Sequence, residues 1–313
     1  FASNMGDKSM QESVKEVLSK VKVADLPKPP SLIEFTTDDN LTDSFTALIQ
    51  SNILSAPVYD TKAKEYIGFL DLRDLVSYVI HAEKAKSNHH FCLKDIVANI
   101  PLVSNVEVTI SYLARRHRIQ PVSEDSTLYD VAKLLCTRLH RVPVVGADGK
   151  IVNIVSQSVI IKHISQNLKD LSGFAGLIIK NVKVGSAPVL QVKAESPAIS
   201  AFDILDTHGR FGIAVTGQED AILTQTHAGD LKLWLQKPSS QLLDLPIMKF
   251  LQIIRANDDD IQVPVLSTSE NDTLSHVIQK LEATRQHRIY VVDNQFKPIR
   301  VISLTDLLRY CTV

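Results

Sequence analysis

The chain is short of the things that several protein classes require. Only 3 of its 313 residues are cysteines, and Cys92, Cys136 and Cys311 are widely spaced and odd in number. That excludes a disulfide framework and fits a reducing, cytoplasmic or nuclear compartment. Only 11 residues are glycines, and none opens a phosphate-binding loop or a nucleophile elbow; zinc-protease and kinase signatures are missing too. No run of apolar residues approaches the length of a membrane span, and no signal peptide is visible. With a formal net charge of -1, the chain has no global attraction for nucleic acid or for acidic membranes. The composition that is left, 44% hydrophobic and 22% charged, is that of an ordinary globular protein with room for two domains.

What the chain does have is a pattern written four times: apolar strand, amphipathic helix, strand, polar turn, strand, helix. The second copy reads most easily, with IQPV from Ile119, then STLYDVAKLLCTR, RVPVV, GADGK, IVNIV and SVIIKHIS. PVYD at Pro57, PVVG at Pro143, AVTG at Ala214 and YVVD at Tyr290 are equivalent, at intervals of about 86, 71 and 76 residues. The first helix of each copy carries apolar residues at helical spacing, as in Leu128, Val131, Leu134 and Leu135 or Leu274, Val277, Ile278 and Leu281. Asn40, Ser126 with Thr127, Ser196 with Pro197, and Asp272 with Thr273 stand where those helices begin, and such residues favour helix starts.

A unit of about fifty residues with three strands and two helices buries too little surface to stand alone. Units must pair, and the simplest pairing follows chain order. That predicts an α+β fold with a first module over 32–165 (repeats at 32–80 and 119–165), a linker over 166–185 and a second module over 186–313 (repeats at 189–235 and 263–311). Residues 1–31 form an extension. In it Met10, Val14, Val17, Leu18 and Val21 make one helical stripe, ended by Pro27, Pro29 and Pro30, which either packs on this protein or docks on a partner.

HRVPVV from His140, HRIYVVD from His287 and ISLTDLL from Ile302 resemble motifs of the cystathionine-beta-synthase (CBS) domain family, and the four-repeat organisation resembles the gamma regulatory subunits of AMP-activated protein kinase. The resemblance covers about residues 32 to 311. It implies that the β-α-β-β-α repeats pair into two Bateman modules forming a disc, whose clefts bind adenine nucleotides (AMP, ADP or ATP). It also implies a non-catalytic regulatory role with no catalytic cofactor, beside kinase catalytic and scaffold subunits, and with self-association of modules as an alternative partner.

The family places a carboxylate on the ribose hydroxyls at the end of a Ser/Thr-x-x-Asp motif. One carboxylate can accept from both hydroxyls through charge-assisted hydrogen bonds. Ser303, Thr305 and Asp306 match this motif in full; Asp74 matches its aspartate; Val159 replaces it in the second repeat. Asp230 serves in the third repeat if about one or two extra residues are allowed for. Each aspartate also suits a helix first turn, where it complements the dipole. On the phosphate side, His140 with Arg141 and His287 with Arg288 match the family's His-Arg pair. Leu54 and Gly212 stand at neutral departures from it, while Gln157 and Ser158 replace basic residues. S-adenosylmethionine is a further adenosyl ligand to weigh, as is a scaffold whose clefts have degenerated.

Other clusters read as loops or solvated faces. Arg115, Arg116, His117 and Arg118 form a basic run without interleaved aromatics, expected as a solvated helix end. His89, His90 and Cys92 lack the spacing that aims two histidines at one metal, and Asp258 to Asp260 lack the glycine and distal glutamate of a calcium loop. No metal site and no catalytic residue is expected.

Overall fold

The computed structural model describes residues 2–84, 109–117, 119–137, 139–171, 173–174, 176–236, 239–256 and 265–313. After an N-terminal helix α1 (Ala2–Ser19), the first repeat runs β1 (Phe35–Thr36), α2 (Leu41–Gln50), β2 (Ser55–Asp60), β3 (Glu65–Asp71) and α3 (Leu72–Lys84), and a short α4 (Ile110–Ala114) follows it. The second comprises β4 (Val122–Ser123), α5 (Leu128–Leu135), β5 (Arg141–Val145), β6 (Ile151–Ser156) and α6 (Gln157–Gln166). The third comprises β7 (Gln191–Lys193), α7 (Ala198–Thr207), β8 (Gly212–Thr216), β9 (Ile222–His227) and α8 (Ala228–Gln236), and α9 (Ser240–Leu243) and α10 (Ile247–Ile254) come after it. The fourth comprises β10 (Ser267–Ser269), α11 (Leu274–Ala283), β11 (Arg288–Val292), β12 (Pro298–Ser303) and α12 (Leu304–Thr312). The class is α+β, with four three-stranded sheets among the described residues.

Within each sheet the first strand runs parallel to the second, and the second pairs antiparallel with the third. The hairpin registers make the repeats equivalent residue by residue: Ser55 faces Asp71, Arg141 faces Ser156, Gly212 faces His227 and Arg288 faces Ser303. The closing helix starts at the next residue each time. Three positions further on stand Asp74, Val159, Asp230 and Asp306. One expectation changes as a result: the third repeat needs no extra residue to bring Asp230 into place. Gly212 is the counterpart of Arg141, as expected, and Ser55 is its counterpart in the first repeat.

Local chemistry explains the helix starts. The Asn40 side chain accepts from the backbone N–H of Thr42 and Asp43, Thr127 with Asp130 closes a capping box, and Thr273 accepts from His276 N–H. Pro197 begins α7 without a side-chain cap, its fixed φ serving instead.

The chain divides into compact units differently from the expected 32–165 and 186–313. One unit gathers Phe1–Leu32, Gln120–Val189 and Val265–Val313, that is, the second repeat with the fourth; the other gathers Ile33–Ile119 and Leu190–Pro264, the first with the third. In the unit holding the second and fourth repeats, Leu128, Val131 and Ile160 share one core with Val277, Leu307 and Leu308. In the other, Phe45, Leu48 and Leu75 share a core with Phe202, Trp234 and Phe250. Alternate repeats thus cover each other's apolar helix faces. Chain order carried no information on this, because all four faces are chemically alike.

The stretch expected as a linker, 166–185, is also part of a core, to which it contributes Leu171, Ile179, Val182 and Val184. Its backbone braces the start of α11, where Ile179 N–H donates to Asp272 O and Leu274 N–H to Leu177 O. The N-terminal extension braces α5 in the same way, through Val23 N–H to Ser126 O and Leu128 N–H to Val21 O. Met10, Val14 and Leu18 of α1 are fully buried in that unit, and Gln11 donates to Tyr310 O. Of the two roles for this stripe, packing on its own protein is the one realised.

Candidate functional site

The register places three carboxylates at one equivalent position, and the fold treats each differently. Asp306 sits at the third position of α12 in a capping box. Its Oδ2 accepts from Ser303 Oγ at 2.6 Å and from Ser303 N–H at 2.9 Å, while its own N–H donates to Ser303 Oγ. Among the described residues no cation pairs with it. It lines an open recess of about 280 Å³ bounded also by Gln11 of α1, Lys183 and Gly185, and by Arg309, Tyr310 and Val313 along the same side of α12. Gly185 is required there. Its φ is +91°, and a Cβ would come within 2.5 Å of Val301 O, because the 184–186 segment pairs closely with β12.

Thr305 is committed to structure: its hydroxyl oxygen accepts from Gln157 Nε2 at 2.8 Å, and Gln157 also donates to Leu135 O. Gln157 therefore ties the start of α6 to the start of α12. Val159 is half-buried against the core, with no polar group to offer.

Asp74 is 2% exposed, and both of its oxygens are taken. Oδ1 pairs with Arg116 Nη1 at 2.9 Å and Oδ2 with His117 Nε2 at 2.9 Å. The basic run expected as a solvated helix end is thus a set of partners, since Arg115 also pairs with Asp60 at 3.3 Å. In place of a hydroxyl residue before α3 stands Asp71, held by a two-point pair with Arg73, whose Nε and Nη2 are both 2.8 Å from its oxygens. Burial alone would raise the Asp71 carboxyl, but the hydrogen bonds and charge of Arg73 overcome it and hold the group below the usual range.

Asp230 is fully buried. Arg255 clamps it with Nε and Nη2, both at 2.8 Å, while Thr226 Oγ1 and His227 N–H donate at 3.0 and 2.9 Å. Arg255 is further fixed by its bond to Gln225 O. Burial pushes this carboxyl up, yet the charges of His227 and Arg255 and the hydrogen bonds hold it below the ordinary value.

Arg141 and Arg288 open strands β5 and β11, half-buried, with His140 and His287 one residue before them. Arg288 lies beside Tyr290, where it partly offsets the rise that burial imposes on the phenol. None of these four lines the Asp306 recess, where the cations are Lys183 and Arg309. No motif marked either one. The only signal was their spacing, Arg309 lying one turn from Asp306 and Lys183 two residues before a glycine. His89, His90, Cys92, Arg118 and Asp258 to Asp260 lie outside the described residues.

Residues 112–166 and 253–312 match the family model of the CBS domain. Those two stretches are CBS domains, and over most of its length the chain is similar to the gamma subunit of AMP-activated protein kinase. The curated relative of that kind, from Kluyveromyces lactis, is 23% identical over 304 residues, covering 93% of this chain and 88% of the relative. Protein SDS23 of Meyerozyma guilliermondii is 24% identical over 309 residues, covering 88% of this chain and 57% of its own length, so the chain spans little more than half of the SDS23 proteins it matches. Among solved structures, a Methanocaldococcus jannaschii protein described as a candidate archaeal homologue of gamma-AMPK has a TM-score of 0.65 at 13% identity, covering 93% of this chain and 99% of that one. At that identity the likeness speaks for the fold. No described helix is long and apolar enough to cross a membrane.

Proposed function

We propose that the protein is a non-catalytic regulatory subunit of the gamma type, binding an adenine nucleotide (AMP, ADP or ATP) in the recess of the fourth repeat. One observation carries this reading. Of three equivalent carboxylates, Asp306 has no cationic partner among the described residues and also faces an open recess. Its free lone pairs suit the two hydroxyls of a ribose, and Lys183 and Arg309 supply positive charge for a phosphate. Relatedness to a kinase gamma subunit over most of its length supports kinase catalytic and scaffold subunits as partners. Regulation then requires that different nucleotides favour different partner arrangements; a ligand bound equally in both shifts nothing.

A second reading has its own support. Asp74 and Asp230 are consumed by internal ion pairs, as a scaffold with degenerate clefts would have them. Calorimetric titration with AMP, ADP, ATP and S-adenosylmethionine, on the natural protein and on Asp306→Ala, separates the two. Heat lost on substitution supports the sensor. Absence of binding and of thermal stabilisation by every ligand supports the scaffold, and binding of S-adenosylmethionine alone redirects the ligand.

A further inference from the structure

We propose that the N-terminal helix α1 is coupled to the Asp306 recess: a ligand seated there binds Gln11 and holds the helix on its unit, and a helix that lifts away weakens the ligand. This rests on the reading of Asp306 as a ribose carboxylate and gives that site an element for its ligand to control. α1, Gly173, the 183–185 segment and α12 all belong to one compact unit.

α1 enters the recess through one residue. Gln11 lines it beside Asp306, Arg309 and Tyr310, and its Nε2 donates to Tyr310 O at 3.2 Å. Tyr310 lies in the last turn of α12, where a backbone carbonyl has no partner further along the helix, so α1 caps the helix that carries Asp306. Thr312 O in the same turn takes the Tyr129 hydroxyl at 3.4 Å. A carbonyl only accepts, so the Gln11 atom spent on Tyr310 is the nitrogen, and the amide oxygen takes no hydrogen bond from the described residues. That oxygen is an acceptor for an N–H or O–H of a ligand held on Asp306.

The seat of α1 uses other residues. Met10, Val14 and Leu18 are fully buried in the core, while Glu12, Lys15 and Glu16 are exposed. Gly173 receives the helix: its φ is +87°, and a Cβ there would fall 2.9 Å from both N and Cβ of Met10, so the α1 backbone lies directly against it. Past the helix, the bonds from Val23 N–H to Ser126 O and from Leu128 N–H to Val21 O tether the chain, so a helix that lifts stays beside its seat. Neither Val14 nor Gly173 lines the recess. A change at either one reaches the ligand only by moving Gln11 and uncapping α12. The coupling is reciprocal: the factor by which the ligand favours the seated helix equals the factor by which the seated helix favours the ligand.

AMP is the probe, with calorimetry reading its affinity and hydrogen exchange reading the α1 amides. The natural protein is compared with Asp306→Ala, Gln11→Ala, Gly173→Ala and Val14→Ala, each shown to be folded by circular dichroism and melting curves. Saturating AMP is expected to slow exchange over residues 10–19 of the natural protein at least about fivefold, and to leave it unchanged in Asp306→Ala. Gln11→Ala loses that protection. Gly173→Ala and Val14→Ala exchange faster without AMP and bind it more weakly, by a factor no larger than the protection AMP gives the natural protein. AMP that binds through Asp306 without slowing α1 exchange, or that binds Gly173→Ala and Val14→Ala with undiminished affinity, overturns the coupling and leaves the Asp306 reading standing. Undiminished affinity in folded Asp306→Ala, or no binding by the natural protein, overturns both.

Discussion

Gly68 and Ala114 touch without room for a single methyl group, the would-be Cβ falling 1.9 Å from the Ala114 carbonyl oxygen. This close approach delivers Arg116 and His117 to Asp74. Gly68→Ala must push the end of α4 away from β3, and it is expected to destabilise the protein by about 1–3 kcal/mol, the usual cost of overpacking. Urea unfolding measures the loss. Unchanged stability would mean that α4 is not seated on the strand.

Arg255 neutralises a carboxylate with no exposure to solvent. Arg255→Met leaves Asp230 charged and buried without its guanidinium, and should cost about 3–5 kcal/mol, far more than loss of an exposed pair such as Lys20 with Glu16. Chemical denaturation of the two variants Arg255→Met and Lys20→Met compares them directly.

Acid should weaken the fold through the same groups. Asp71 and Asp230 are both held below the ordinary carboxylate range in the folded state. A depressed folded pKa contributes stability in full above the unfolded value of about 3.9, and the contribution is lost as pH falls through the folded values. The melting temperature is therefore expected to drop steeply below about pH 4, with a shallower slope in Asp230→Asn. Equal slopes would show that Asp230 is not the linked group.

The repeats were legible in the sequence because two periods, 2 for strands and 3.6 for helices, alternate in the same order four times. The motif ending at Asp306 was legible for a similar reason, since its hydroxyl and carboxylate are three residues apart and make a capping box locally. What escaped was non-local. Arg116 reaches Asp74 across 42 positions only because of Gly68, and Arg255 reaches Asp230 from the end of α10, 25 positions on. The pairing of alternate repeats escaped because four similar apolar faces give no preference among partners. The N-terminal stripe stayed open for the same reason: periodicity shows that a face is buried, and not by what.

The cap and the ligand roles at α12 can be separated. Ser303→Ala removes one side of the capping box and should cost about 1 kcal/mol of stability. It leaves the Asp306 carboxylate in place, so nucleotide affinity should fall far less than in Asp306→Ala. Melting curves and titrations on the same two samples check this, and equal loss of affinity would assign the effect to the helix start.

Two thiols should be silent in the native protein. Cys136 and Cys311 are buried, and burial pushes the Cys311 thiol up to about 12, so little nucleophilic thiolate exists at neutral pH. Peptide mapping after a short alkylation should find both unmodified without denaturant and both modified with it.

The most direct test of ligand binding in the fourth repeat is calorimetric titration of AMP into the natural protein and into Asp306→Ala at one ionic strength. Saturable binding to the natural protein, weakened at least about tenfold by the substitution, is the predicted result. Undiminished affinity in a folded Asp306→Ala protein, or no binding by the natural one, would contradict it.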